Sequence, residues 1–84
     1  MINKIYCLKD IKIGYMQPFT MQNDAVAIRA FANSARANQP NNVNTNSEDI
    51  ELYCIGEFND TTGKINGIEP EFMAKAVDFV KIGE

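Results

Sequence analysis

From Ile50 to Phe58 the chain largely alternates apolar and polar side chains, Ile50-Glu51-Leu52-Tyr53-Cys54-Ile55-Gly56-Glu57-Phe58. It breaks at Asn59-Asp60-Thr61-Thr62-Gly63 and resumes at Lys64–Ile68. Alternation with a period of two marks a half-buried strand, and Asn, Asp and Gly tolerate the backbone of a tight reversal. The segment therefore predicts an antiparallel hairpin. Ile50, Leu52, Cys54 and Phe58 are expected on one face, with Glu51, Tyr53, Ile55 and Glu57 on the other. A hairpin alone is marginal in water and needs further strands or a helix over its apolar face. The remainder of the chain must supply that cover.

The rest of the sequence offers three such pieces. Residues 2–8 are rich in β-branched and aromatic types with apolar side chains on both faces, as in a central strand or one whose second face is covered by a partner or a helix. A short edge strand is expected near Met16–Met21, because Pro18 is tolerated mainly on an edge. Asn23 is placed as an N-cap for a helix over 24–37, with Asp24 in the first turn. Its Ala25, Ile28, Phe31, Ala32 and Ala35 follow the helical stripe. Pro70 suits the first turn of a second helix over 70–82, with Phe72 or Met73, Ala76, Val77 and Val80 inward and Gly83 as its stop. Residues 38–48 form an Asn-rich polar segment with little apolar surface to offset ordering entropy, expected to be a mobile loop or a flexible contact arm.

With 84 residues the chain holds one domain. Ile5-Tyr6-Cys7-Leu8 echoes Leu52-Tyr53-Cys54-Ile55, each followed by a turn, a strand and a helix. The expected fold is α+β, a two-layer sandwich of a small antiparallel sheet with two helices on one face, open to a ββα-ββα pseudo-repeat. No apolar run reaches the ~18 residues that span a bilayer. Lys4, Lys9 and Lys12 interrupt any signal-peptide core, which points to a cytosolic protein.

Catalysis finds little to work with. The chain has no histidine, which removes Ser-His and Cys-His nucleophile pairs and leaves a zinc site short of ligands. Cys7 and Cys54 both sit in apolar strand-like runs and read as reduced, buried thiols. Glu48-Asp49-Glu51 and Glu69-Glu71 fit a solvated strand start and a helix first turn better than an acid/base pair. Gly14, Gly56, Gly63 and Gly67 are spaced as punctuation rather than as a phosphate cradle. A non-enzymatic protein without metal or cofactor is expected.

Charge divides the chain. Residues 1–42 carry five basic against two acidic side chains, and residues 43–84 three against nine. The net charge of −3 opposes nonspecific nucleic-acid binding by the whole surface but leaves room for a local basic face. Proteins that hold single strands combine exposed aromatics with basic side chains. Tyr6, Tyr15 and Tyr53 are candidates to stack, and Lys4, Lys9, Lys12, Arg29 and Arg36 to contact phosphates. The competing assignment puts the tyrosines at the rim of a core. An open strand edge in so small a domain also suits pairing with a second copy, so a homodimer is a parallel expectation.

Three segments carry a family likeness: Ile5-Tyr6-Cys7-Leu8-Lys9-Asp10; Gln17-Pro18-Phe19 followed by Asn23-Asp24-Ala25-Val26-Ala27-Ile28-Arg29-Ala30-Phe31; and Asp49-Ile50-Glu51-Leu52-Tyr53-Cys54-Ile55-Gly56-Glu57-Phe58-Asn59 through Thr62-Gly63. In this order they resemble the small nonstructural protein family of gokushovirus-type single-stranded DNA phages (Microviridae). The resemblance implies a protein made in the cytoplasm of the infected bacterium and left out of the mature capsid. It further implies a role in genome replication or packaging, through single-stranded DNA or through phage or host proteins. Of the candidates, Lys4, Lys9, Lys12, Arg29, Arg36, Tyr6 and Tyr15 form the proposed DNA-contacting set.

Overall fold

The computed structural model describes residues 1–80. Five antiparallel strands form one curled sheet: β1 (Ile2–Asp10), β2 (Gly14–Tyr15), β3 (Phe19–Met21), β4 (Ile50–Asn59) and β5 (Ile65–Lys75). β1 lies beside β4, and β4 beside β5; β2 and β3 share the outer edge of β1. The helix α1 (Asp24–Arg36) packs on one face, called the front. A short helix α2 (Asn42–Thr45) and a 3-10 helix (Ala76–Phe79) close the core at one end.

The registers explain which side chains meet. Tyr6 pairs with Cys54, Leu8 with Leu52 and Asp10 with Ile50, so these residues share the front face. There Tyr6, Leu52, Cys54 and Ile50 join Ala27, Phe31 and Ala35 of α1, Val43 of α2 and the fully buried Ala76 in one core. The expected helix cap is in place: Asn23 Oδ1 accepts from the Val26 amide at 2.9 Å. The inward stripe is Ala27, Phe31, Ala32 and Ala35, while Ala25 is exposed. Cys7 and Cys54 are free and buried.

The register of β1 on β4 slips once, leaving Ile55 without a partner between the Tyr6–Cys54 and Ile5–Gly56 pairs. An extra residue in one strand reverses the alternation beyond it. Phe58 thus leaves the face of Leu52 and Cys54, where the simple alternation placed it, and joins Ile5 and Ile65 on the back. Opposite the same slip, Ile68, Glu69 and Pro70 of β5 span the gap between Gly67 and Glu71. Gly56 is required here: a Cβ on it would lie 2.5 Å from the Asn66 carbonyl oxygen.

The second helix is not formed among the described residues. β5 runs on to Lys75, with Phe72, Ala74 and Lys75 paired to Tyr53, Leu52 and Glu51. Pairing along the open edge of β4 overrides the helical pattern, and Pro70 sits in an edge strand, where a missing N–H is tolerated. Only Ala76–Phe79 turns helical; Phe79 meets Phe31 edge-on at 6.1 Å. The two-helix sandwich and the pseudo-repeat give way to a sheet-dominated α+β fold with one main helix. Residues 81–82 of the expected helix and its stop at Gly83 lie outside the described residues.

The Asn-rich segment carries structure of its own. Asn41 and Asn44 form a reciprocal capping box on α2, and Val43 is buried. The Asn41 Nδ2 donates to the Ser34 carbonyl at 2.9 Å and the Asn44 Nδ2 to the Ala37 carbonyl at 3.0 Å. Amide side chains here satisfy carbonyls at the end of α1, which a helix terminus leaves without internal partners. Both free sheet edges carry proline, Pro18 between β2 and β3 and Pro70 in β5, which blunts edge-to-edge pairing.

Candidate nucleic-acid interface

Helix α1 covers only the front. Its thirteen residues span about 20 Å, against a molecule 47 Å long. Among the described residues no helix packs on the back of the sheet, although Cys7 and Ile5 on that face are buried by neighbouring chain. Two cross-strand rows build it: Tyr15–Lys9–Glu51–Lys75, and Cys7–Tyr53–Phe72.

The aromatic rings lean together across these rows. Tyr15 and Tyr53 meet edge to face with centroids 5.6 Å apart, and Tyr53 and Phe72 do the same at 5.8 Å. Tyr15 and Phe72 at the ends are 48% and 49% exposed. The Lys9 ammonium lies 5.2 Å from the Tyr15 centroid and 5.6 Å from that of Tyr53. Rings and cation hold each other by quadrupole and cation–π attraction, so the platform is ordered without a covering layer. The Tyr53 hydroxyl donates to Glu51 Oε1 at 2.9 Å, a bond that pushes the phenol above its ordinary range. At the far end of the same face, Ile5, Pro18, Phe19, Thr20, Phe58 and Ile65 line an apolar groove of about 290 Å³.

The structure sorts the candidates of the sequence into separate places. Lys9, Tyr15 and Tyr53 come together on the back. Lys12 lies in the β1–β2 turn, exposed, 3.3 Å from Asp49 Oδ2. Lys4 is 3.3 Å from Asp24 Oδ1 and belongs to the contact between β1 and the start of α1. Tyr6 is fully buried; its hydroxyl donates to Asp24 Oδ1 at 2.7 Å, and its ring offers no face to a base. Arg29 and Arg36 are exposed on α1, in the layer on the other side of the sheet, with the Arg36 guanidinium 5.4 Å from the Phe79 centroid. They cannot share one short binding site with Tyr15.

Phe72, Lys75 and Glu51 complete the face and were missed. The local pattern of Phe72 and Lys75 suits a helix, which hides their register opposite Tyr53 and Glu51. Glu51 fits a solvated strand start in the sequence, and its alternation with Tyr53 sets it on the same face. Chemically the back face offers aromatic surface, an ordered cation and a carboxylate.

Among the described residues no helix is long and apolar enough to cross a membrane. Comparison with curated proteins and with solved structures finds no match. The family described as phage ORF5 protein matches residues 3–79, nearly the whole chain and all three segments of the likeness above. On that match, the chain belongs to the phage ORF5 protein family.

Proposed function

We propose that this phage protein binds single-stranded DNA on the open back of its sheet, as a nonstructural accessory factor in genome replication or packaging of a gokushovirus-type phage. The proposed place of action is the cytoplasm of the infected host. The observation that carries the proposal is the uncovered row Tyr15–Tyr53–Phe72 with the Lys9 ammonium set against two of its rings. Aromatic faces accept any unstacked base, and adjacent lysines meet the phosphates. A duplex, with its bases already stacked, gains nothing from such rings. Binding, rather than catalysis, is the proposed activity.

The charge balance sets the form of the affinity. Lys9 and Lys75 are the cations of the row itself, so stacking carries most of the binding energy. With about two phosphates neutralised, log K should fall with log salt at a slope of roughly −1.4. Fluorescence anisotropy of a labelled single-stranded oligonucleotide, titrated at several salt concentrations, measures this. Stacking is worth about 1–3 kcal/mol per base, so Tyr15→Ala with Phe72→Ala should cost at least about 30-fold in affinity. Unchanged affinity in that double variant would exclude the platform.

A second use of the same face has its own support. The apolar groove beside Phe58 and Ile65 suits a protein partner, a second copy included. Sedimentation that shows only monomer at high micromolar concentration would remove the homodimer.

A further inference from the structure

We propose that Glu51 sets the base preference of the platform, favouring bases that present an exocyclic amino group over thymine. This rests on the proposed binding of single strands by the back face. A surface that only gathered phosphates would gain nothing from a carboxylate at its centre. Yet Glu51 stands in the middle of the row, with Lys9 on β1 and Lys75 on β5 as its cross-strand neighbours.

Neither lysine neutralises it by contact. Among the described residues Glu51 makes no ion pair, and the Lys9 ammonium is held over Tyr15 and Tyr53 instead. The carboxylate is anchored at one oxygen, Oε1, by the Tyr53 hydroxyl at 2.9 Å. Oε2 takes no hydrogen bond from the described residues. An oriented acceptor is thus fixed at the hydroxyl end of the central ring.

A base stacked on one of the exposed end rings, Tyr15 or Phe72, lies beside Tyr53 and turns its polar edge toward the carboxylate. Cytosine then presents its N4 amino group, the donor that a carboxylate side chain accepts in base recognition. Adenine and guanine present amino groups as well. Thymine presents one imino N–H flanked by two carbonyl oxygens, which the carboxylate repels. A hydrogen bond to a charged acceptor corresponds to roughly tenfold in affinity.

The test compares labelled oligo(dC) and oligo(dT) of about ten nucleotides, within the usual footprint of single-strand sites, at neutral pH and one salt concentration. Wild-type protein should prefer oligo(dC) by roughly tenfold. Glu51→Gln, whose amide both donates and accepts, should bring the two affinities within about twofold. Loss of Tyr53 positioning alone would weaken both oligonucleotides alike and leave their ratio unchanged, which overturns the proposal. Equal affinities in the wild type overturn it too, while leaving the platform standing. If neither oligonucleotide binds, the platform and the role of Glu51 fall together.

Discussion

Replacing Tyr6 by Phe tests whether this tyrosine is a structural strut rather than a stacking surface. The ring lies in the core, tilted against Phe19 with centroids 6.0 Å apart, and Phe preserves that packing. The change removes one hydrogen bond to the ionised Asp24 carboxylate, at 2.7 Å. Bonds to charged groups contribute about 1.5–3 kcal/mol when well shielded. The Asp24 side chain is 41% exposed and water can take the vacated lone pair. The expected loss is therefore about 1 kcal/mol at neutral pH, or ~4–8 °C in Tm.

The pH dependence sharpens the test. The Tyr6 hydroxyl first, and Lys4 after it, hold the Asp24 carboxyl below its usual range. A depressed carboxyl contributes stability above its unfolded pKa of about 3.9 and loses it as pH falls through the folded value. The gap between wild type and Tyr6→Phe should thus be full at neutral pH and close below about pH 4. Burial first, then the bond to Asp24, raises the Tyr6 phenol above its ordinary value. Above about pH 10 the unfolded phenol ionises and the folded one does not, so wild-type stability falls there by a contribution the Phe variant lacks. Urea melts followed by circular dichroism at neutral, acid and alkaline pH measure all of this. An unchanged midpoint at neutral pH, or a gap that widens on acidification, would refute the strut. Oligonucleotide affinity should not change with Tyr6→Phe.

Gly56→Ala places a Cβ 2.5 Å from the Asn66 carbonyl oxygen, so β5 must shift; a loss of about 1–3 kcal/mol is expected, with faster amide exchange along residues 65–67. Asn41→Ala removes the capping box of α2 and the bond to the Ser34 carbonyl. It should cost about 1 kcal/mol and speed proteolysis within residues 38–48.

Some of this fold could be read from residues and some could not. The β4 hairpin was legible because Leu52 and Cys54 alternate with Glu51 and Tyr53 ahead of a turn that ends in Gly63, whose φ of +76° favours glycine. Helix α1 was legible because Asn23 and Asp24 announce it. Phe58 was misplaced because a single unpaired Ile55 reverses the alternation, and nothing in that residue marks a bulge. Residues 70–75 carry a local pattern that suits a helix, whereas the free edge of β4 that recruits them is a tertiary feature. The Asn-rich segment shows in the sequence only that it has little to bury; that its amides complete the end of α1 depends on the tertiary fold. Tyr6 and Tyr15 could not be told apart in the sequence, since β1 is apolar on both faces and α1 covers one of them. Lys9, Tyr15 and Tyr53 of the platform are visible in the sequence; Phe72 and Lys75 lie on the strand whose local pattern suits a helix, and Glu51 stands on β4, where it alternates with Tyr53.

The most direct test of a single-strand-binding back face is a residue-resolved NMR titration. Amide and aromatic signals of the labelled protein would be followed as a single-stranded oligonucleotide is added at low salt. Shifts are expected to concentrate at Lys9, Tyr15, Glu51, Tyr53, Phe72 and Lys75, with Arg29, Arg36 and the buried Tyr6 unmoved. Shifts confined to the solvent side of α1, or none at saturating oligonucleotide, would contradict a single-strand-binding back face.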